Sequence, residues 1–188
     1  MKKRNIMLGS AILLAVLLVA GGTMAWFTAD ANITNSFKAG TVKIEINGQS
    51  ETVVENVNPG DSYDNEVSVK NAGSKRAYIR VELVPKFVGV EGNTLSAEGI
   101  VTYPILANWV LHTDGWYYYK NIVQPGASTT NLIEKVIFEG AAMDNTYQGA
   151  GFTLTVNAQA IQATNEAINT VWGIDPGTLG IEVAVPKP

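Results

Sequence analysis

Much of the chain alternates between apolar and polar residues, and a repeat of two predicts β-strands on half-buried sheets. In the run at residues 41–46, Val42, Ile44 and Ile46 share one face, and the residues between them are charged. The same alternation is present in three longer runs, at residues 63–73, 77–84 and 151–163. The chain is therefore predicted to consist mainly of strands that each bury one face.

Short turn signals separate these runs. Asn47-Gly48 is a strong two-residue hairpin signal, so the apolar run at residues 52–57 is predicted to pair back as the return strand. In the turn at residues 58–61, a proline fixes φ at one central position and a glycine supplies positive φ at the next. Residues 109–120 are predicted to form a hairpin rich in aromatic side chains around Thr113-Asp114-Gly115.

Helical signals are confined to one short stretch near the C-terminus. Thr164 is predicted as its N-cap, Glu166 lies in its first turn, and Gly173 ends it. Several short strands with turns between them, and one or two short helices, predict an all-β fold, an antiparallel β-sandwich of jelly-roll type. We place this domain at residues 41–188; the pattern does not specify the order of the strands.

The first 25 residues have a different pattern. Three basic residues at positions 2–4 precede an apolar run at residues 6–20, and small residues follow it. This order predicts a secretory signal peptide over residues 1–25, cleaved after Ala25. The alternative is an uncleaved membrane anchor, since no charge occurs between the basic cluster and Asp30. The glycines and threonine after the short apolar run favour cleavage.

Composition restricts the function of the remaining 163 residues, which suffice for one domain with a real core. The leader holds three of the 13 basic residues and none of the 17 acidic ones, so the remainder has a formal charge of −7. This acidic balance argues against nucleic acid and against an anionic membrane surface as partners. The chain has no cysteine, which excludes disulfides and a thiol nucleophile. We predict no cofactor.

Residues 26–40 connect the predicted leader to the first strand and do not fit the sandwich pattern. They contain four large apolar residues: Trp26, Phe27, Ile33 and Phe37. Such side chains at a new N-terminus normally dock onto a surface. One interpretation is an edge strand on the chain's own domain. The other is a donor strand that completes the sheet of a neighbouring copy and, because head-to-tail pairing does not close on itself, builds a filament.

The order of several motifs resembles the TasA/camelysin family of Gram-positive bacteria. The similar segments are GGTMAWF at the leader end, FKAGTVKI, NVNPGD followed by EVSVKNAGS, AYIRVEL, WVLHTDGWYYYK and AQAIQA. Members of that family are exported, processed by a dedicated signal peptidase, and found as cell-surface and biofilm-matrix fibre proteins. The resemblance implies a jelly-roll domain whose processed N-terminal segment, here residues 26–37, inserts as a donor strand into the next subunit.

The sequence and the resemblance together predict a secreted structural subunit of the extracellular matrix or the cell surface. Its predicted partners are neighbouring copies of itself, the signal peptidase during export, and a minor subunit that anchors or nucleates the fibre. The predicted polymerisation residues are the four apolar residues of the donor segment. Ala25 is the predicted cleavage residue.

Camelysin-type relatives carry a metalloprotease label, so the resemblance also implies an alternative function. A catalytic zinc site normally needs three protein ligands and a general base, as in H-E-x-x-H. The only histidine, His112, supplies at most two ligands together with Asp114 in the same turn. The sequence also lacks a G-x-S-x-G motif and paired aspartic-protease motifs. We therefore predict that the protein is not an enzyme, and we keep a cell-surface metalloprotease as the alternative.

Two further features have simple structural interpretations beside functional ones. The aromatic run Trp116–Tyr119 is a candidate platform for carbohydrate or a partner, although alternating core and surface packing of one strand also explains it. Asp61, Asp64 and Glu66 are candidate calcium ligands. Their spacing is not that of a 12-residue calcium loop, which favours solvated strand charges.

Overall fold

The structure, a computed structural model, describes residues 28–31, 42–164 and 166–185. The predicted leader lies outside these ranges. The described residues form eleven strands and two short helices: β1 Thr28–Ala31, β2 Ile44–Gly48, β3 Glu51–Val54, β4 Ser62–Asn71, β5 Ala77–Val88, β6 Thr94–Leu95, β7 Val101–Thr102, β8 Trp109–Leu111, β9 Tyr117–Tyr119, β10 Ile133–Phe138, β11 Gly151–Gln162, α1 Ala167–Trp172 and α2 Pro176–Leu179. No helix in this part of the chain is long and apolar enough to cross a membrane.

The strands form two antiparallel sheets. The large sheet has the order β1-β11-β5-β9-β8, with β3 also paired to β11 and β6 to β5. The small sheet has the order β2-β4-β10-β7. From β2 to β5, and again from β10 to β11, consecutive strands change sheet, as they do in jelly rolls. The predicted all-β antiparallel sandwich is confirmed.

The core lies between the inner faces of the two sheets. Alternation decides which side chains enter it, and β5 and β11 pair without a shift of register along their whole length. At one end Phe87, Phe138 and Phe152 are fully buried, with ring centroids 4.8–5.8 Å apart. This aromatic group joins β10 of the small sheet to β5 and β11 of the large sheet.

The hairpin predicted at Asn47-Gly48 is wrong. Gly48 does turn, with φ of 95°, but β2 pairs with β4 and β3 pairs with β11. A Cβ at Gly48 would collide with the Glu66 carbonyl oxygen, so the turn lies directly against β4. The chain then crosses to the large sheet, where Thr52 and Val54 face the core from the opposite side. β2 therefore belongs to the small sheet and β3 to the large sheet.

The predicted helix start is also wrong. Glu166, at φ 64°, precedes α1 and provides no side-chain cap. The Thr164 hydroxyl has no hydrogen-bond partner among the described residues. The reason is that the pairing between the two long strands continues past the end of β11. The Ala163 N–H donates to the Arg76 carbonyl at 2.8 Å, so a turn is needed before the helix begins at Ala167. The predicted end is confirmed, because Gly173 is the C-cap.

Residues 166–185, which we call the C-terminal segment, cover part of the outer face of the large sheet. Ile168 and Ile181 of this segment pack in a second apolar cluster with Tyr78 of β5 and Ile161 of β11. The Tyr78 hydroxyl accepts a hydrogen bond from a backbone N–H of the segment at 2.8 Å. The C-terminal segment therefore holds the paired ends of β5 and β11 in place.

Candidate functional site

The described part of the predicted donor segment, β1, pairs with the chain's own β11. The register places Thr28 opposite Ile161 and Ala31 opposite Ala158. On the same edge, β3 pairs with β11 at residues 152–155. Two short strands together therefore cover nearly the whole of this edge of β11.

Backbone directions identify the residues that hold β1 in place. The Val156 N–H donates at 2.9 Å to the carbonyl just before β3, and backbone groups alternate sides along a strand. Ala158 and Ala160 therefore direct their N–H and C=O groups toward β1. Their partners in the register are Ala31 and Ala29, so these two residues of β1 exchange the ladder hydrogen bonds.

The other residues predicted for polymerisation and processing lie outside the described ranges: Trp26, Phe27, Ile33, Phe37 and Ala25. β1 occupies the place of an edge strand on its own domain, which is one of the two sequence interpretations. Pairing with a neighbouring copy stays a prediction. The sequence does not identify the edge of β11 that pairs with β1, which we call the acceptor edge. The signal for it is a run without proline or charge at residues 156–162.

A second group of residues lies on the outer face of the large sheet, beside the C-terminal segment. The Arg80 guanidinium lies over the indole rings of Trp116 and Trp172, at 4.4 Å and 4.7 Å from their centroids. It donates to Gln159 Oε1 at 2.6 and 2.9 Å and to the Tyr118 hydroxyl at 2.8 Å. We use the name Arg80 cluster for Arg80, Trp116, Trp172, Gln159, Tyr118 and Asp114. One side chain thereby joins β5, β9, β11 and α1.

Asp114, in the turn between β8 and β9, carries the negative charge of the cluster. Its Oδ2 accepts from the Tyr118 hydroxyl at 2.7 Å and lies 3.5 Å from Arg80 Nη1, while Oδ1 lies 3.1 Å from His112 Nδ1. Burial by itself would raise the pKa of Asp114. Hydrogen bonds from Tyr118, the Trp116 N–H and His112 outweigh burial, and the pKa lies below its usual value. Asp114 is therefore ionised at neutral pH.

The residues around His112 do not fit a catalytic zinc ion. Both Asp114 oxygens already have partners, and the Arg80 guanidinium beside Oδ2 repels a second cation. Across residues 42–164 and 166–185, no three His, Cys, Asp or Glu side chains come together as a ligand set. A zinc site normally takes at least three protein ligands, and this group provides two.

The aromatic run Trp116–Tyr119 packs within the protein. Trp116 stacks on Arg80, and Tyr118 is buried near the C-terminal segment. Tyr119 lies in the main core, with its ring centroid 5.0 Å from that of Trp109. Because successive rings point to different faces, they do not form one flat platform for a sugar.

The three candidate calcium ligands near the start of β4 do not converge. Asp61 Oδ2 accepts hydrogen bonds from Asn58 Nδ2 at 3.1 Å and from the Tyr63 hydroxyl at 3.2 Å. Asp64 and Glu66 are exposed farther along the strand. In the part of the chain that the structure describes, these carboxylates form no metal-binding group.

Two tyrosines make the fold sensitive to high pH. Burial, as the largest cause, raises the pKa of Tyr103 and of Tyr118 to about 12, above the value of 10.0 for a free tyrosine. Because the folded state holds these protons more tightly, their stabilisation is complete below pH 10 and is lost as the pH rises toward 12. We expect urea titrations to show a falling free energy of unfolding over that interval, and a smaller fall in Tyr103→Phe. A constant value up to pH 12 would contradict this assignment.

The fold and these two sites define an all-β sandwich protein with an N-terminal strand on the edge of its large sheet. Residues 1–88 match the family model described as camelysin metallo-endopeptidase, which is the TasA/camelysin family that the motifs resemble. The resemblance inferred from the motifs is thus confirmed. The match ends at the last residue of β5. No curated protein and no solved structure matched the chain.

Proposed function

We propose that this protein is an exported structural subunit that polymerises by donor-strand exchange into extracellular fibres. The observation that carries the proposal is β1, a separate four-residue strand that covers part of the β11 edge. It is connected to the sandwich through residues 32–41. β1 of a neighbouring copy can make the same ladder in the same register, since exchange of an identical element preserves its contacts.

Exchange turns an internal contact into a head-to-tail contact between copies. Each copy then offers one donor segment, which we call the arm, and one acceptor edge on β11. A head-to-tail contact of this type extends into a filament. Pairing within one chain competes, because a short linker keeps the arm at a millimolar effective concentration. The proposed advantage of the fibre is burial of Trp26, Phe27, Ile33 and Phe37 in the neighbour, at roughly 1.5–3 kcal/mol for each large apolar side chain.

Export places the subunit where such fibres form. In the proposed pathway, signal peptidase cuts after Ala25 and releases the arm from the membrane. Proteins of this family are secreted or lie at the cell surface, which supports the same location here. A minor subunit that anchors or nucleates the fibre completes the proposed set of partners.

Electron microscopy of the exported protein, recovered from the medium of the producing cells, tests the proposal. We expect unbranched filaments with a regular axial repeat of one subunit. Mass spectrometry of the same material gives the N-terminal residue, which we expect to be Trp26. Correctly processed protein that remains monomeric at every concentration tested would rule out the proposal.

A metallo-endopeptidase is the second candidate, because the matching family model carries that description. The lone histidine and the guanidinium beside Asp114 argue against it. We expect His112→Ala to leave the casein cleavage of the purified protein unchanged at background level. The matched control is Leu111→Ala, at an exposed neighbouring position. Cleavage that is lost in His112→Ala and kept in Leu111→Ala would support the protease instead.

A further inference from the structure

Two long strands of the sandwich each have five residues without a neighbouring strand on one side. Among the described residues, β5 pairs on that side with β9 at residues 80–81 and with β6 at residues 87–88, which leaves residues 82–86 uncovered. β4 pairs with β2 only at residues 67–71, which leaves residues 62–66 without a paired strand on that side, with Gly48 lying against the Glu66 carbonyl oxygen. Such edges are the places where another polypeptide adds a strand most readily.

A proline stands in the uncovered edge of β5. Ala77 and Gly89 donate their N–H groups to carbonyls on this side of the strand, so the odd-numbered residues of β5 face it. Leu83 and Pro85 therefore face the gap. Pro85 has no N–H to donate, so an incoming strand would meet an interrupted ladder.

Charge and a bulge interrupt the uncovered edge of β4. Asp64 and Glu66 are exposed here, and the pairing with β10 shifts by one residue between Asp64 and Val67, which bends the strand. Asn65 points into the core at 2 % exposure, and neither amide atom has a hydrogen-bond partner in the described ranges. A strand that added here would meet two negative charges, an irregular backbone and a polar residue on the core side.

The acceptor edge of β11 has none of these features. Residues 156–162 contain no proline and no charged residue, and their register with β5 has no shift. Ala158 and Ala160, which face β1 with their backbone groups, have small buried side chains. This edge therefore accepts a strand without repulsion or steric hindrance, and β1 covers it in this structure.

We propose that Pro85 and the pair Asp64 and Glu66 block strand addition at the β5 and β4 edges, so that copies join only through β11. The role of the block in linear growth rests on the proposed fibre function. The block itself is a property of the two edges and can be tested separately. Without it, each copy would offer additional acceptor edges, and a fibre would branch or thicken.

Two edge variants test this inference in the exported protein. Pro85→Thr restores a backbone donor, and the double variant Asp64→Thr with Glu66→Thr removes both charges; threonine suits strands. The matched control, Glu91→Thr with Glu98→Thr, removes the same charge from exposed positions outside the long strands. Circular dichroism and urea unfolding establish that each variant folds, and Pro85→Ala replaces Pro85→Thr if the latter does not.

We expect each edge variant to form branched or laterally joined assemblies in electron micrographs, and light scattering to begin at a concentration roughly tenfold lower than for the parent. The control should assemble as the parent does. Folded edge variants that assemble like the parent would overturn the inference. If the parent stays monomeric, the fibre proposal fails, yet edge variants that associate would still support the block. Edge variants that also stay monomeric would overturn both.

Discussion

The double substitution Ala29→Pro and Ala31→Pro is expected to abolish fibre formation. In the observed register these residues exchange ladder hydrogen bonds with Ala160 and Ala158. Each proline removes one N–H donor and places its ring against the partner strand. Two lost hydrogen bonds at about 1 kcal/mol each weaken the ladder roughly 30-fold, both between copies and within one chain, and the steric clash of the rings weakens it further. With β1 released from its own β11, no ladder is left to hold neighbouring copies together.

The residue between them provides a matched control. The backbone groups of Asp30 point away from β11, because directions alternate along the strand, and proline is tolerated where a strand donates to no neighbour. Asp30→Pro should therefore assemble at the concentration of the parent. Sedimentation across a concentration series, with electron microscopy of the pellets, compares the three proteins. Fibres of the double variant at the parental concentration would refute pairing in this register.

Arg80→Ala is expected to lower the free energy of unfolding by about 2–4 kcal/mol. The substitution removes the contacts with Trp116 and Trp172 and leaves Gln159 and Asp114 without their guanidinium partner. Only 15 % of the Arg80 side chain is exposed, so water replaces these contacts poorly. Arg80→Lys keeps the charge and loses the planar stacking, and we expect an intermediate loss.

Urea unfolding monitored by circular dichroism measures these differences. Lys86→Ala is the matched control, because Lys86 lies on the outer face of the same strand and is exposed. Its effect should remain within about 0.5 kcal/mol. A loss in Arg80→Ala no larger than in Lys86→Ala would mean that the cluster does not stabilise the C-terminal segment on the sheet.

Alternation in the sequence was sufficient to predict the long strands and the sandwich, but not the partner of each strand. β4, β5 and β11 follow their predicted runs because a repeat of two leaves one buried face whatever the neighbour is. Asn47-Gly48 carries the signal of a hairpin, and the same positive φ also allows a crossing between sheets. The choice depends on contacts with β4 and β11, which are distant in the chain, so the local signal was misleading.

The Arg80 cluster was not predicted for the same reason. The alternation places Arg80 on the outer face of β5, and the aromatic hairpin that contains Trp116 was identified. Trp172 and Gln159 come from later parts of the chain, and no spacing rule connects them with Arg80. The sequence signal for the cluster is Arg80 itself, an arginine on the outer face of a strand between two apolar positions. Such an arginine indicates that a distant part of the chain packs against that face.

The unequal lengths of two ladders have a mechanical consequence for a fibre of the proposed kind. Four residue pairs join β1 to β11, whereas twelve join β11 to β5. A pull along the fibre would load the short ladder at every joint and the long ladder inside every subunit. Under tension the joints therefore give way first, and a stretched fibre separates into intact subunits that can rejoin.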